Sequence, residues 1–144
     1  MWVESPEKVT REMQRVCRDG GSVLALAEPD YGGRIDYPTV MAELGKRQRQ
    51  ALIMQGADPD LGRKLSWLFS QAGLQGIETG VMGGQWSDIP SHDEWVLEWQ
   101  VLAQDLGHMI TPGEWLNWKE AEKEAYQNRS RVLYVPTFYA WGKK

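Results

Sequence analysis

Three residues at the end of one short apolar run have the types that acid–base chemistry uses. Glu28 and Asp30 are carboxylates two positions apart, and Tyr31 adds a phenol beside them. Two acids in different surroundings can divide the roles of proton donor and acceptor. Acids at a strand end also arise as turn formers, so the pair defines a position and not yet a reaction. The position comes from what precedes it. Val23, Leu24, Ala25, Leu26 and Ala27 form an unbroken apolar run, the pattern of a strand covered on both faces, and it reads as a central parallel strand. In open sheets of that kind ligands gather beyond the carboxyl ends of the strands, which is where Glu28, Asp30 and Tyr31 stand.

The elements that must hold this strand can be read on either side of it. Ser5, Pro6 and Glu7 give a helix start, with a capping oxygen, a pre-set φ and an acid in the first turn. Val9, Met13, Val16 and Cys17 share one face, so Pro6 to Arg18 is an amphipathic helix closed by Gly20 or Gly21. Asp36 and Pro38 announce a second helix carried by Val40, Met41, Leu44, Ala51 and Leu52 and stopped at Gly56. Asp58 and Pro59 open a third, with Leu61, Leu65, Leu68, Phe69 and Ala72 inward and Gly73 at its end. Lys46, Arg47, Arg49, Arg63 and Lys64 form the solvated face of these two helices, the one place that could draw an anion.

Leu74 to Met82 alternates as a strand, with Ile77, Thr79 and Val81 on one side, and ends in Gly83 and Gly84. Two capping boxes follow, Ser91 with Glu94 and Thr111 with Glu114. The helices they open carry Trp95, Trp99, Leu102 and Leu106 on one stripe and Trp115, Trp118, Glu122 and Ala125 on the other. This reads as an inserted helical pair over about residues 91–129, a lid or an interaction surface. The aromatic, β-branched stretch from Val132 to about Trp141 reads as a last strand, with Pro136 marking a bulge or unpaired position.

At 144 residues and 42% hydrophobic content the chain is sized for one domain with a real core. A net charge of −4 gives no basic footprint for a phosphate backbone, which argues against nucleic acid. No apolar run reaches membrane-spanning length and no signal pattern opens the chain, so a soluble, cytoplasmic protein is expected. Cys17 is the single cysteine and reads as a small buried hydrophobe. His92 and His108 lack carboxylates at metal-ligand spacing, so no metal is expected. There is no P-loop, no dinucleotide fingerprint and no nucleophile elbow. Eight tryptophans read as core and interface residues before anything else.

The order of elements carries a resemblance. SPEKVTREMQRVCRDGGSVLALAEPDYGG, then helices, a strand and a terminal VPTFYAWG strand resemble the carboxyl-terminal half of a class I S-adenosylmethionine-dependent methyltransferase, from about Trp2 to Gly142. In that family an amphipathic helix of the form (D/S)PxxxLxEMxRVxRPGG leads into the fifth strand. Two more strands follow, the last inserted antiparallel between its neighbours. EMQRVCRDGG is the most telling match, with Asp19 where proline is usual.

The resemblance implies an α/β chain with a partial Rossmann-like methyltransferase fold: a small three-stranded mixed sheet, the Val132 strand between those at Val23 and Leu74, flanked by helices and the inserted pair. It implies that Glu28 to Tyr37 and Gly83 to Trp86 lie on the acceptor side, so that Glu28, Asp30, Tyr31, Arg34 and Trp86 would converge there on a small-molecule acceptor. The glycine-rich turn and ribose-binding acid that hold S-adenosylmethionine would lie before Met1. The implied protein is thus a truncated or split methyltransferase-like domain that binds no cofactor alone and is inactive alone, since methyl transfer needs both reactants in one pocket. A bare edge on the Val23 strand would call for a homodimer or for a partner that supplies the missing half. The alternative is a non-catalytic binding or assembly module on the same scaffold.

Overall fold

The computed structural model describes residues 2–83 and 89–144. In chain order its elements are α1 (Pro6–Val16), β1 (Ser22–Pro29), β2 (Ile35–Tyr37), α2 (Thr39–Met54), α3 (Leu65–Gln71), β3 (Gln75–Met82), α4 (His92–Leu106), α5 (Pro112–Gln127), β4 (Val132–Tyr134) and β5 (Thr137–Lys143). The class is mixed α/β, with five α-helices and two small antiparallel sheets among the described residues. The residues gather into two compact units. One comprises Met1–Gly33, Gly56–Gly83 and Val135–Lys144, the other Arg34–Gln55 and Gly84–Tyr134.

In the first unit the strand order is β1-β5-β3, and β5 runs antiparallel to both neighbours. The terminal strand therefore sits in the middle, as the resemblance implies. Two expectations need correction. The sheet is antiparallel throughout, not mixed. And β1 is an edge strand among the described residues, not a central parallel one: Val23 is buried, but Leu24 and Leu26 are 52% and 66% exposed. An apolar run without alternation suggests cover on both faces, yet the central place is taken by β5, whose Ala140 is fully buried. Each outer strand carries one extra residue against β5, between Ala25 and Glu28 on β1 and between Gln75 and Glu78 on β3. Ala27 lies in the β1 bulge at φ 59°, a left-handed conformation that glycine takes more readily.

The core of this unit is Val23, Leu61, Leu65, Leu68, Phe69, Leu74 and Ala140, with Met13 and Cys17 packed against it from α1. Cys17 thus packs as a small hydrophobe, but it is partly buried and not buried as predicted. Helix α1 ends at Val16, two residues before the predicted Arg18, and Ser5 caps it differently from the prediction. Its side chain makes no capping bond, while its backbone carbonyl accepts from Lys8 N and Val9 N at 3.0 and 3.1 Å. The other end of α1 is held by the last residue of the chain. Lys144 Nζ donates to the carbonyls of Arg15 and Cys17, at 3.1 and 2.9 Å, placing a cation on the negative end of the helix.

Pro136 does more than mark a bulge. The predicted strand from Val132 is cut in two: β4 pairs with β2 in a separate two-stranded sheet, and β5 begins only at Thr137. Proline offers no ladder donor, and its carbonyl instead accepts from Asp30 N at 2.8 Å.

In the second unit α2, α4 and α5 share a core of Met41, Leu44, Ala51, Trp99, Leu102, Leu106 and Trp118. Both capping boxes form. Glu94 N donates to Ser91 Oγ and Glu114 N to Thr111 Oγ1, each at 3.3 Å, and each glutamate accepts in return from its cap's backbone N–H. Gly56 and Gly73, at φ +84° and +80°, follow helices α2 and α3 in the left-handed turn their types predict. Among the described residues no helix is long and apolar enough to cross a membrane.

Gly62 tests the packing of the first unit. A Cβ there would lie 2.7 Å from the Glu28 carbonyl oxygen and 2.8 Å from Phe138, whereas one on Gly113 in α5 would meet nothing. Gly62→Ala is expected to destabilise by about 1–3 kcal/mol, as overpacking does. Gly113→Ala should be neutral or stabilise by up to about 1 kcal/mol. Urea titrations followed by circular dichroism compare the two.

Candidate functional site

Glu28, Asp30 and Tyr31 stand together at the carboxyl end of β1, in the first unit, but the turn there is closed by its own side chains. Asp30 is 1% exposed. Its Oδ1 accepts from Gly33 N at 2.9 Å and from Arg63 Nη2 at 2.5 Å, and its Oδ2 takes Arg63 Nε. The hydrogen bonds to Asp30 hold the Arg63 guanidinium above its ordinary pKa. Tyr31 N donates to Pro59 O at 2.8 Å. Asp30 therefore closes an Asx-type turn and anchors a bidentate ion pair. Glu28 lies opposite Phe138 in the ladder and is half-buried.

The other two candidates do not share that place. Arg34 belongs to the second unit, where its Nε donates to Asp36 Oδ2 at 2.5 Å and its Nη1 to Gln48. Trp86 lies outside the described residues. The five predicted basic residues are likewise divided: Lys46, Arg47 and Arg49 lie on α2 in the second unit, whereas Arg63 and Lys64 lie in the first, in a 3-10 turn (Gly62–Lys64) before α3, which begins only at Leu65 and not near Asp58 and Pro59 as predicted. Arg47 pairs with Glu43 and Glu114, Arg63 with Asp30, and Lys64 with Asp58.

A cradle for S-adenosylmethionine would need open backbone amides after a strand and an acid for the ribose. The turn after β1 does not fit. Its acid is already spent on Arg63 and Gly33, and a Cβ on Gly32 would lie 2.5 Å from Asp60 Oδ1, so side chains already fill the space against its backbone. Among the described residues no group of three or more metal-ligating side chains comes together.

The denser chemistry is in the second unit and centres on Glu122, which is 1% exposed. Its Oε2 accepts from the indole N–H groups of Trp95 and Trp99, at 3.0 and 2.7 Å. Its Oε1 accepts from Arg131 Nε at 2.9 Å, and Arg131 Nη1 reaches Asp36 Oδ1 at 2.9 Å. The network goes on through Arg34 and Gln48, whose Nε2 donates to Asp105 at 2.6 Å. Burial draws the Arg131 pKa down, but its hydrogen bonds and charge contacts with Glu122 and Asp36 outweigh that and leave it raised. Sequence reasoning placed Glu122 on a stripe with Trp118 and Ala125 but gave it no role. The usable signal was an acid on an otherwise apolar helix face.

Two groups beside this network are shifted by it. Glu98 has a raised pKa, first from burial and then from the charge of Glu122. Tyr126 is pushed up to about 12, again by burial first and then by Glu122 and Glu98. Next to them opens a cavity of about 350 Å³, whose lining includes Ile89, Pro90, Trp95, Lys119, Lys123 and Tyr126. The ring of His92 stacks on Trp95 with centroids 6.5 Å apart. Among known proteins no family model matches the chain, and no curated protein matches it.

Glu122→Ala leaves Arg131 buried without one of its two acids and strips two indoles of their acceptor. The expected loss is about 3–5 kcal/mol, the cost of breaking a buried pair. Glu98→Gln should act in the opposite sense. A carboxyl whose folded pKa is raised binds its proton more tightly in the native state, so stability falls as pH rises from the unfolded pKa to the folded one. The glutamine variant is expected to be more stable than the parent at neutral pH and to match it below the carboxylate range. Thermal melts at both pH values measure this.

Proposed function

We propose that the chain is the acceptor-side part of a class I S-adenosylmethionine-dependent methyltransferase fold, and that its chemistry is methyl transfer to a small molecule carried out only together with cofactor-binding elements that these residues do not include. The observation that carries the reading is the strand order. An amphipathic helix delivers the chain into β1, and the last strand, β5, lies antiparallel between β1 and β3. That order agrees with the one the EMQRVCRDGG resemblance implies. Within this reading Glu28 and Tyr31 remain acceptor-side residues, and Asp30 shapes the loop that presents them.

The reading also accounts for the surface of the first unit. The outer edge of β1 pairs with no strand among the described residues, and Leu24, Leu26, Val9 and Val16 of β1 and α1 are exposed. A fourth strand would pair with this edge. In isolation the cheapest cover is a second copy of the chain, because unpaired apolar edges recruit strands and closed two-fold symmetry satisfies both copies at once.

Two measurements test the proposal. Titration calorimetry of the isolated chain with S-adenosylmethionine is expected to show no binding. A saturable isotherm with micromolar affinity would mean that the chain holds the cofactor by itself. Light scattering coupled to size exclusion is expected to give a dimer mass at micromolar concentration, with an interface of about 1,000 Å² or more. A clean monomer would show that the chain tolerates or covers its own edge, and would remove the argument for a missing half.

A further inference from the structure

The cavity of the second unit has the size and the charge pattern of a ligand site. Its volume of about 350 Å³ falls among small-molecule pockets, which run from about 300 to 1,000 Å³. Every residue that lines it lies within 89–127, in one unit. Trp95 and Tyr126 offer aromatic surface, and Ile89 and Pro90 add aliphatic wall. Flat apolar ligands suit such walls, because ring–ring contact adds to the area buried.

Polar groups in the lining select the charge. Lys119 and Lys123 stand one turn apart on α5, so their side chains share a face. Among the described residues no carboxylate lies within ion-pair distance of either ammonium, although Glu120 also lines the cavity. Lys119 Nζ is 5.5 Å from the ring centroids of Trp95 and Trp99 and 5.6 Å from that of Trp115. Ring faces hold this cation in place but accept none of its N–H groups in the way a carboxylate would, so its donors remain available. Tyr126 keeps its proton far above neutral pH and so presents a hydroxyl donor. A lining of aromatic surface with two cations and a phenol, against the one carboxylate of Glu120, is complementary to a planar anion.

We propose that this cavity binds a flat aromatic carboxylate, its ring against Trp95 and its carboxylate on Lys119 and Lys123. The proposal stands on the second unit alone and does not depend on the methyl-transfer reading. Naphthoate is the probe, and naphthyl methanol, of similar shape without the charge, is the control. With the full chain, naphthoate is expected to bind saturably by calorimetry and to shift the indole N–H resonance of Trp95, while the alcohol binds at least about tenfold more weakly. Lys123→Met alters an exposed residue. It should weaken naphthoate about three- to tenfold and leave the alcohol unchanged, and adding Lys119→Met should weaken naphthoate further. Circular dichroism and an unchanged melting temperature establish that Lys123→Met is folded, so that variant decides even where the double one is destabilised. Absence of saturable naphthoate binding, equal binding of the alcohol, or naphthoate affinity unchanged by Lys123→Met would each overturn the proposal.

Discussion

A carboxylate that is almost wholly removed from water needs partners on every side, and in the second unit Glu122 imposes that demand on everything around it. The effective cost of burying such an ion is several kcal/mol before any pairing. Trp95 and Trp99, one turn apart on α4, aim both indole N–H groups at one of its oxygens, while Arg131, just beyond α5, takes the other. The same guanidinium reaches Asp36 on β2 and the carbonyls of Tyr37 and Val132. One arginine thereby fixes the helical pair against the β2–β4 ladder. Arg34, Gln48 and Asp105 extend the chain of bonds across α2 to the end of α4. Apolar stripes alone would let three helices slide past one another at small cost; directional bonds to a buried charge do not, which is why the stripes of α2, α4 and α5 meet in one register.

A different constraint governs the first unit. Its middle strand is β5, so neither β1 nor β3 has its partner until Thr137–Lys143 is in place. Ser22 pairs with Lys143, at nearly the full length of the chain. Lys144 then reinforces the closure, since its N–H and C=O bond to Gly21 and Gly20 while its ammonium caps α1. Contacts this distant in sequence are slow to form, because the entropy of closing the loop is lost before the strand pairing repays it.

What could be read from the sequence was local. Capping boxes at Ser91 and Thr111 form as read because both partners lie within four residues, and the stripes of α4 and α5 follow from helical spacing. Glycine stops at Gly56 and Gly73 hold for the same reason. The misreadings share the opposite property. Whether β1 is central or at an edge depends on residues more than one hundred positions away. The cut at Pro136 depends on β2 competing for Val132 to Tyr134. Asp30 looked like half of an acid–base pair because its true partner, Arg63, stands 33 positions on. Glu122 was visible as an anomaly on an apolar face, but its partner Arg131 looked like ordinary polar sequence before a strand.

The outer edge of β1, unpaired among the described residues, shows how far such a strand can go undefended. Soluble proteins blunt edges with charge, proline or bulges. Here the carboxyl half of β1 has two of these, since the bulge at Ala27 twists the backbone and Pro29 removes a donor. Its amino half, from Ser22 to Ala25, has neither. A partner strand would therefore find regular backbone over only about four residues, too few for ladder hydrogen bonds to hold it by themselves at about 1 kcal/mol net each. The remaining affinity has to come from side chains. Exposed apolar side chains of that unit include Leu24 and Leu26 on β1, Val9 and Val16 on α1, Trp67 on α3 and Val81 and Met82 on β3. On the proposed reading, burial of apolar side chains, more than edge pairing, would set how tightly a covering strand is held.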